Sequence, residues 1–184
     1  MIPSIRNREE LIDYVSHGNP VKYVLFWGHQ KSETRITKTC FSQWYDSPFT
    51  QKGIAYLTAE HFMMAEKARL FGDSNAEQKI LLADNPGEAK KLGREVQGFE
   101  NSVWEHHRFD IVVKANLLKF GQNAELKEFL LNTGDRILVE ASPVDKIWGV
   151  GLAMDHPAVE NPYQWRGLNL LGFALMEVRL QLSA

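Results

Sequence analysis

Hydrophobic residues recur along the chain with two spacings, one typical of buried strands and one typical of helices. Residues 21–27 and 136–140 are dominated by apolar side chains and are predicted strands, and residues 35–40 are predicted to pair as a further strand. Helical spacing is found in seven segments: 8–15, 58–71, 76–83, 86–92, 103–120, 123–131 and 169–182. An α+β fold that is mainly helical, with small β-elements, is therefore expected.

Boundary residues support these elements. Thr58 is a predicted N-cap, Gly72 and Asp73 form a stop signal for the helix that follows Thr58, and Pro86 stands at the start of another helix. Asn169 is the natural N-cap of the last helix. No internal repeat or long linker interrupts the chain, so residues 1–184 are predicted to form one domain.

Composition limits the partners that the protein is expected to bind. The chain has 184 residues, of which 44% are hydrophobic, and its 21 Lys and Arg residues nearly balance 23 Asp and Glu residues. Such a balance supplies no general attraction to nucleic acid or to an anionic membrane. Any phosphate must therefore be bound by a few individually positioned groups. Residues 1–10 lack the apolar stretch of a secretory signal, and no apolar run approaches a bilayer span. A cytoplasmic protein without membrane contact is expected.

Cysteine and histidine usage argues against metal chemistry. Cys40 is the single cysteine, and a lone cysteine is usually a small buried hydrophobe. His106 and His107 are adjacent and diverge on a helix, and the other four histidines show no ligand spacing. No P-loop or serine-hydrolase elbow is present. We expect neither a metal nor another cofactor.

The helix after Thr58 offers the first candidate chemistry. Glu60 lies in its first turn, and Lys67 follows seven residues later on nearly the same face. A carboxylate at a helix N-terminus is stabilised as an anion, and a substrate could bridge it to a lysine about 10 Å along the axis. The alternative is a solvated glutamate and a lysine whose stem lies along an amphipathic face. Spacing alone favours that alternative.

Three further segments contain candidate ligand contacts. Residues 140–151 hold Asp145, Trp148 and Gly149 in a tight turn, where glycine permits close approach and tryptophan offers a stacking face, although glycine pairs are common in plain turns. Arg94 is a candidate for a phosphate contact, with solvent exposure as the alternative, and the helix start at Asn169 is a candidate anion site, with simple capping as the alternative. Residues 41–49 contain four aromatics and form either a loop that caps the core or one wall of a pocket.

Several ordered motifs together resemble the NADAR family of YbiA-like N-glycosidases. They are residues 58–73 with Glu60, His61 and Lys67; residues 89–94; Trp104; Lys119–Phe120 and Gln122–Asn123; residues 138–152; and residues 165–179. The similarity covers about residues 26–179 and implies a YbiA-like fold. One departure is Gln43 followed by Trp44, where family members usually have Asn and a smaller aromatic. This change is expected to affect base contacts more than the class of reaction.

The resemblance implies hydrolysis of an N-glycosidic bond in a ribosylated, nucleotide-like substrate. Two substrate types are implied: ribosylaminopyrimidine phosphates of riboflavin synthesis, which release ribose 5-phosphate, and ADP-ribose linked to guanine, including ADP-ribosylated nucleic acid. Breaking the bond from C1 to nitrogen develops positive charge on the ribose, and an ionised carboxylate near C1 stabilises it. The predicted catalytic residues are Glu60, Asp145 as a second carboxylate, and Lys67.

Lys67 has three alternative roles: phosphate binding, protonation of the departing nitrogen, or a Schiff base with the ring-opened sugar. The predicted substrate-binding residues are Phe41 and Trp148 for stacking on the base, Arg94 and Asn169 for phosphate or ribose, and Trp104 and Gly149. Two other functions stay open. One is a non-catalytic module that binds ADP-ribose or a derivative of NAD, and the other is a structural protein in which Glu60 and Lys67 only mark a helix face.

Overall fold

The computed structural model describes residues 2–184 and places seven α-helices and four short strands among them. In chain order these elements are α1 (Arg8–Ser16), β1 (Tyr23–Phe26), β2 (Phe49–Gln51), β3 (Ile54–Tyr56), α2 (Ala59–Leu70), α3 (Ser74–Leu82), α4 (Pro86–Arg94), α5 (Asn101–Gly121), α6 (Ala124–Leu131), β4 (Ile137–Glu140) and α7 (Leu170–Ser183). Two 3₁₀ helices, Lys38–Phe41 and Pro162–Gln164, are also present. The predicted mainly helical α+β fold is confirmed.

The chain divides into two compact units, one formed by residues up to 42 with 125–184 and one by residues 43–124. In the first unit, β1 pairs in parallel with β4, with Tyr23 opposite Ile137 and Phe26 opposite Glu140. The centre of β4 is completely buried, and α7 packs against this strand with eight of its residues buried. A buried parallel pair needs apolar residues on both faces, which explains the continuous apolar pattern of both strands.

The second unit is built around α2. Residues 59–65 are buried without interruption, and α3, α4 and α5 all pack against this helix. An antiparallel hairpin of β2 and β3 adds the rings of Phe49 and Tyr56, which stack 5.6 Å apart and lie close to Phe62. Because neighbours surround α2, its polar residues are enclosed as well. Within residues 2–184, no helix is both long and apolar enough to cross a membrane.

The strand predicted at residues 35–40 is wrong, because residues 38–41 form a 3₁₀ helix. The hydroxyls of Thr37 and Thr39 lie 2.8 Å apart, and Thr39 donates to the Gln30 carbonyl, so these side chains stabilise a local turn. Strand β1 forms its backbone hydrogen bonds with β4 instead. The hairpin of β2 and β3 was not predicted. Its two-residue turn places both Lys52 and Gly53 at positive φ, and lysine is unusual at the first of these turn positions.

Candidate active site

Glu60 is fixed at the N-terminus of α2. Thr58 caps the helix as predicted, because its hydroxyl accepts a hydrogen bond from the His61 N–H. The Glu60 N–H donates to the Gln43 carbonyl at 3.0 Å, which satisfies another of the free N–H groups of the first turn. Only 4% of Glu60 is exposed. The alternative of a solvated glutamate is therefore excluded.

Lys67 lies in an aromatic environment near the other end of α2. Its ammonium is 4.5 Å from the centre of the Phe99 ring and 5.5 Å from that of Trp104. Burial lowers the pKa of Lys67, repulsion from Arg94 lowers it further, and attraction by Glu60 opposes both effects. These interactions bring together four residues that the sequence offered as site candidates: Glu60, Lys67, Arg94 and Trp104. Phe99 was not among the candidates.

Arg94 reaches this group because α4 packs tightly against α2. A side chain at Gly93 would overlap the sulfur of Met64, so only glycine permits this approach of the two helices. The next residue, Arg94, ends α4 and is exposed. Two cations close enough to repel each other favour the binding of an anion between them. The pair of Lys67 and Arg94 therefore suits a phosphate.

Three further polar residues are buried in the second unit and were not predicted as site residues. Gln43 is 6% exposed, and Asn116 and Lys119 on α5 are completely enclosed. The Lys119 ammonium lies 5.4 Å from the Tyr45 ring and 5.1 Å from the Phe120 ring. Asn116 and Lys119 lie on the same face of α5 as the buried residues Val112 and Phe120. Their burial could have been inferred from the sequence, because they are polar residues within an apolar helical stripe.

Asp145 and Trp148 lie together in the first unit, on the turn after β4. One oxygen of Asp145, Oδ1, accepts hydrogen bonds from the backbone N–H groups of Ile147 and Trp148 at 2.9 and 2.8 Å. The Ser142 hydroxyl accepts from the Asp145 N–H, so the turn is closed at both ends. Asp145 shapes this turn through Oδ1. Its predicted catalytic role stays a prediction.

Gly149 and Asn169 are used to hold this turn against the start of α7. A side chain at Gly149 would lie 2.9 Å from the Glu140 carbonyl and 3.0 Å from that of Asp145, so close backbone packing requires the glycine. The Gly149 carbonyl accepts from the Asn169 N–H at 3.1 Å. This packing accounts for Gly149 without a ligand, and its substrate contact stays a prediction.

Asn169 stands at the N-cap position of α7, as predicted, but its side chain makes no capping hydrogen bond. Its φ is +55°, and its amide instead binds the end of β4, donating to the Leu138 carbonyl at 2.9 Å and accepting from the Glu140 N–H at 3.0 Å. A left-handed N-cap directs the side chain away from the first-turn N–H groups. Because both amide atoms are occupied, we assign Asn169 to holding β4 and α7 together.

Phe41 is completely buried in the first unit. Its ring packs against Phe26 and Phe129 at centroid distances of 5.4 and 5.5 Å. Stacking of Phe41 on a base stays a prediction, but burial favours the alternative of a core residue. Trp148 is half-buried and retains an accessible surface.

Comparison with known proteins agrees with this arrangement. The protein-family model described as the NADAR domain matches residues 25–183 of the sequence. The chain belongs to the NADAR family. The match includes all the candidate residues named above and nearly coincides with the range of about 26–179 expected from the motifs.

Named relatives cover most of the chain. N-glycosidase R617 of Acanthamoeba polyphaga mimivirus is 42% identical over 163 residues, which are 86% of this chain and 95% of that protein. The chloroplastic riboflavin biosynthesis protein PYRR of Zea mays is 36% identical over 134 residues, which are 68% of this chain but 19% of that protein. The prediction of an enzyme of the N-glycosidase class is confirmed by several relatives of that name.

The NMR structure of the Escherichia coli protein YbiA superimposes with a TM-score of 0.68 at 29% identity, covering 88% of this chain and 85% of YbiA. The YbiA-like fold is thereby confirmed.

Proposed function

We propose that this NADAR protein hydrolyses the N-glycosidic bond of a ribosylated, nucleotide-like substrate, with Glu60 as the catalytic carboxylate. The supporting observation is the enclosed carboxylate of Glu60 at a helix N-terminus, which attracts the Lys67 cation, itself close enough to Arg94 to be repelled by it. Burial of an ionisable group is costly for folding, and such groups cluster at functional sites. A solvated helix face would not require this burial.

The proposed role of Glu60 follows from the charge that develops during cleavage. As the bond from C1 to nitrogen lengthens, its electron pair leaves with the nitrogen and the ribose ring becomes positive. A carboxylate close to C1 stabilises that charge, and it then removes a proton from the water that attacks C1. Both steps require an ionised carboxylate, the form that a helix N-terminus stabilises. The proton taken from water then passes to the departing nitrogen, so the products are the free base and a ribose that carries the new hydroxyl and retains its phosphate.

Lys67 and Arg94 are proposed to bind that phosphate. Their mutual repulsion is relieved when a dianion lies between them, and Trp104 with Phe99 forms an apolar wall around the Lys67 stem. A Schiff base with Lys67 predicts a different observation, namely a covalent adduct of sugar and lysine that borohydride traps. Trapping at Lys67 would replace phosphate binding with nucleophilic catalysis for this residue.

Asp145 and Trp148 are kept as candidates from the first unit. The second oxygen of Asp145 is the atom proposed to orient water or a ribose hydroxyl, because Oδ1 already accepts two backbone hydrogen bonds. Trp148, which is half-buried, is proposed to stack on the base. Trp148 is separable from Glu60 by mutation, since loss of stacking raises KM while loss of a catalytic carboxylate lowers kcat.

Two substrates are proposed. The likeness to a protein named for riboflavin biosynthesis supports ribosylaminopyrimidine 5-phosphates. ADP-ribose linked to guanine, free or in nucleic acid, has the same anomeric carbon bonded to nitrogen and a phosphate on the ribose. Both fit a site that combines one carboxylate with two cations.

The test incubates the purified protein separately with ribosylaminopyrimidine 5-phosphate and with ADP-ribosylated guanosine. Mass spectrometry follows the release of ribose 5-phosphate or of ADP-ribose. Release from either substrate supports the glycosidase proposal and identifies the preferred substrate. Binding of both substrates without release would favour a non-catalytic binding module instead.

A further inference from the structure

The first unit contains a cavity of about 630 Å³ that none of the candidate site residues lines. Its walls come from residues 2–5, from α6 and from the last turns of α7. On α7, Met176, Arg179 and Leu180 lie on one face, because residues three and four apart are neighbours on a helix. The volume is typical of a site for a small molecule.

The lining of this cavity is mainly aliphatic. Its apolar part includes Ile2, Ile5, Leu131, Met176, Leu180 and Leu182. Among the residues that the structure describes, no aromatic side chain lines it. Aromatic rings offer a stacking face to planar ligands, whereas leucine, isoleucine and methionine pack against a flexible chain. The lining therefore favours an aliphatic ligand over a flat aromatic one.

Arg179 is a buried cation in this wall. It is 7% exposed, and its Nη1 donates to the Thr133 hydroxyl at 2.7 Å and to the Arg136 carbonyl at 2.8 Å. Within residues 2–184 it makes no ion pair, and its Nε and Nη2 make no hydrogen bond, although neither nitrogen is fully enclosed. Burial lowers the Arg179 pKa to about 10, which leaves the guanidinium charged at neutral pH. Buried arginines are rarely left without an anionic partner, so an anion is missing here.

The other charged residues of the lining limit the kind of anion. Lys127 is a second cation that makes no ion pair with the described residues. Asp135 and Glu177 also line the cavity; Asp135 attracts the Arg179 charge, and Glu177 lies 3.9 Å from Arg6. Two carboxylates repel a dianion such as phosphate, whereas two cations without ion pairs suit a single negative charge. A monoanion is therefore favoured.

We propose that this cavity binds an aliphatic carboxylate, with its carboxylate on Arg179 and Lys127 and its chain along the apolar wall. The guanidinium presents Nε–H and Nη2–H side by side, which matches the two oxygens of a carboxylate. The chain removes apolar surface of Leu131, Met176 and Leu180 from water. This site is separate from the proposed active site, and the inference does not depend on the proposed function.

The test measures binding of decanoate, decanol and acetate to the full chain, below the micelle concentration of decanoate. Decanol lacks the charge and acetate lacks the chain, so each probe omits one part of the proposed ligand. The wild-type protein is expected to bind decanoate at least ~10-fold more tightly than either. NMR of ¹³C-labelled methionine methyl groups locates the ligand. The Met176 signal is expected to shift, whereas those of Met63 and Met64 on α2 are expected to stay in place.

Three variants separate the charge from the chain. Leu180→Glu adds a carboxylate at a partly exposed part of the wall and is expected to weaken decanoate binding at least ~10-fold. Leu82→Glu makes the same change at the exposed end of α3 and is expected to leave the affinity within about 2-fold. Arg179→Met removes the donors and is expected to lower the affinity for decanoate to that for decanol.

Equal binding of decanoate and decanol by the wild-type protein overturns the inference, even if Arg179→Met fails to fold. Unchanged affinity in Leu180→Glu overturns it as well, and so does a shift of the Met63 or Met64 signal in place of Met176. If decanoate does not bind, the ligand site is rejected and Arg179 serves only to hold Thr133 and Arg136.

Discussion

At the scale of single residues, the interaction of Lys67 with Arg94 has a measurable consequence. Burial and the neighbouring Arg94 cation both lower the pKa of Lys67, so this lysine loses its proton at a lower pH than an ordinary lysine. Arg94→Gln removes one of the two causes, and the Lys67 pKa is expected to rise. The alkaline limb of kcat/KM, if it reports Lys67, shifts to higher pH. Titration of ¹³C-labelled lysine by NMR measures the pKa directly.

Lys91→Gln is the matched control for this prediction. Lys91 is exposed and lies in the same last turn of α4, but it is not among the causes of the Lys67 shift. The control is expected to leave the Lys67 pKa unchanged. An equal rise in both variants would mean that the net charge of α4, rather than Arg94, sets this pKa.

The sequence identified individual site candidates through helical spacing and through the family motifs. Glu60 and Lys67 share a face by simple periodicity, and the family motifs supplied Arg94 and Trp104. Their burial was not predictable, because it arises from α3, α4 and α5 packing around α2. Asn116 was not singled out, and Lys119 was named only within a family motif, because a polar residue in an apolar stripe is first interpreted as lying at the boundary of a helix face.

At the scale of elements, His61 connects the start of α2 to the end of α3. Its Nε2–H donates to the Ala83 carbonyl at 2.9 Å, and its Nδ1 accepts from the Thr58 hydroxyl at 2.8 Å. This arrangement uses the neutral ring, and burial lowers the His61 pKa below the ordinary 6.5. Below pH 6.5 the unfolded chain therefore binds a proton that folded His61 rejects. The free energy of unfolding is expected to fall as the pH drops from 7.5 towards 5.

Urea unfolding at several pH values checks this expectation. His61→Gln is expected to be less stable at pH 7.5, where the bonds of the ring are lost, but to show a weaker pH dependence between 7.5 and 5. His17→Gln, at an exposed histidine of the first unit, is the control and keeps the wild-type dependence. If His61→Gln retained the full pH dependence, another group would be responsible.

Helices with clear caps were predicted well, whereas the pairing of the strands was not. Thr58, Asp73 and Asn85 each cap a helix through their side chains, and these helices begin within two residues of the predicted positions. The segment 35–40 has residue types that suit a strand, but a strand needs a neighbour and β1 pairs with β4 across more than 100 residues. Long-range pairing of this kind is not encoded in local spacing.

At the scale of the whole molecule, the prediction of one domain over residues 1–184 is tested by unfolding. We expect a single cooperative transition in calorimetry, with the calorimetric enthalpy equal to the van't Hoff enthalpy. Asn169→Ala removes two buried hydrogen bonds and forces alanine to a φ of +55°, which is expected to cost about 2–4 kcal/mol. The whole transition is then expected to move down by roughly 5–15 °C.

Asn169→Gly separates the two causes, because glycine tolerates the positive φ but still lacks the amide. Its destabilisation is expected to be smaller than that of alanine. Two resolved transitions, of which only one responds to Asn169→Ala, would show that residues 43–124 unfold independently and would reject the single-domain prediction.

The fold class and the family were accessible from the sequence because several ordered motifs had to agree at once. The match over residues 25–183 confirms that agreement. The hydrogen bonding of Gln43 and Asn116 was not accessible, because it depends on which amide atoms remain unpaired after folding. Only the arrangement of α2 and α5 reveals that pattern.

Single-turnover cleavage by Glu60→Gln tests the central claim most directly. The variant keeps the shape of the side chain and removes its charge, so binding of the substrate is expected to persist while the rate falls by about 10²–10⁴-fold. Glu95→Gln, an exposed site at the end of α4, is the control and is expected to cleave at the wild-type rate. Full activity in folded Glu60→Gln would contradict the account and remove Glu60 from the chemistry.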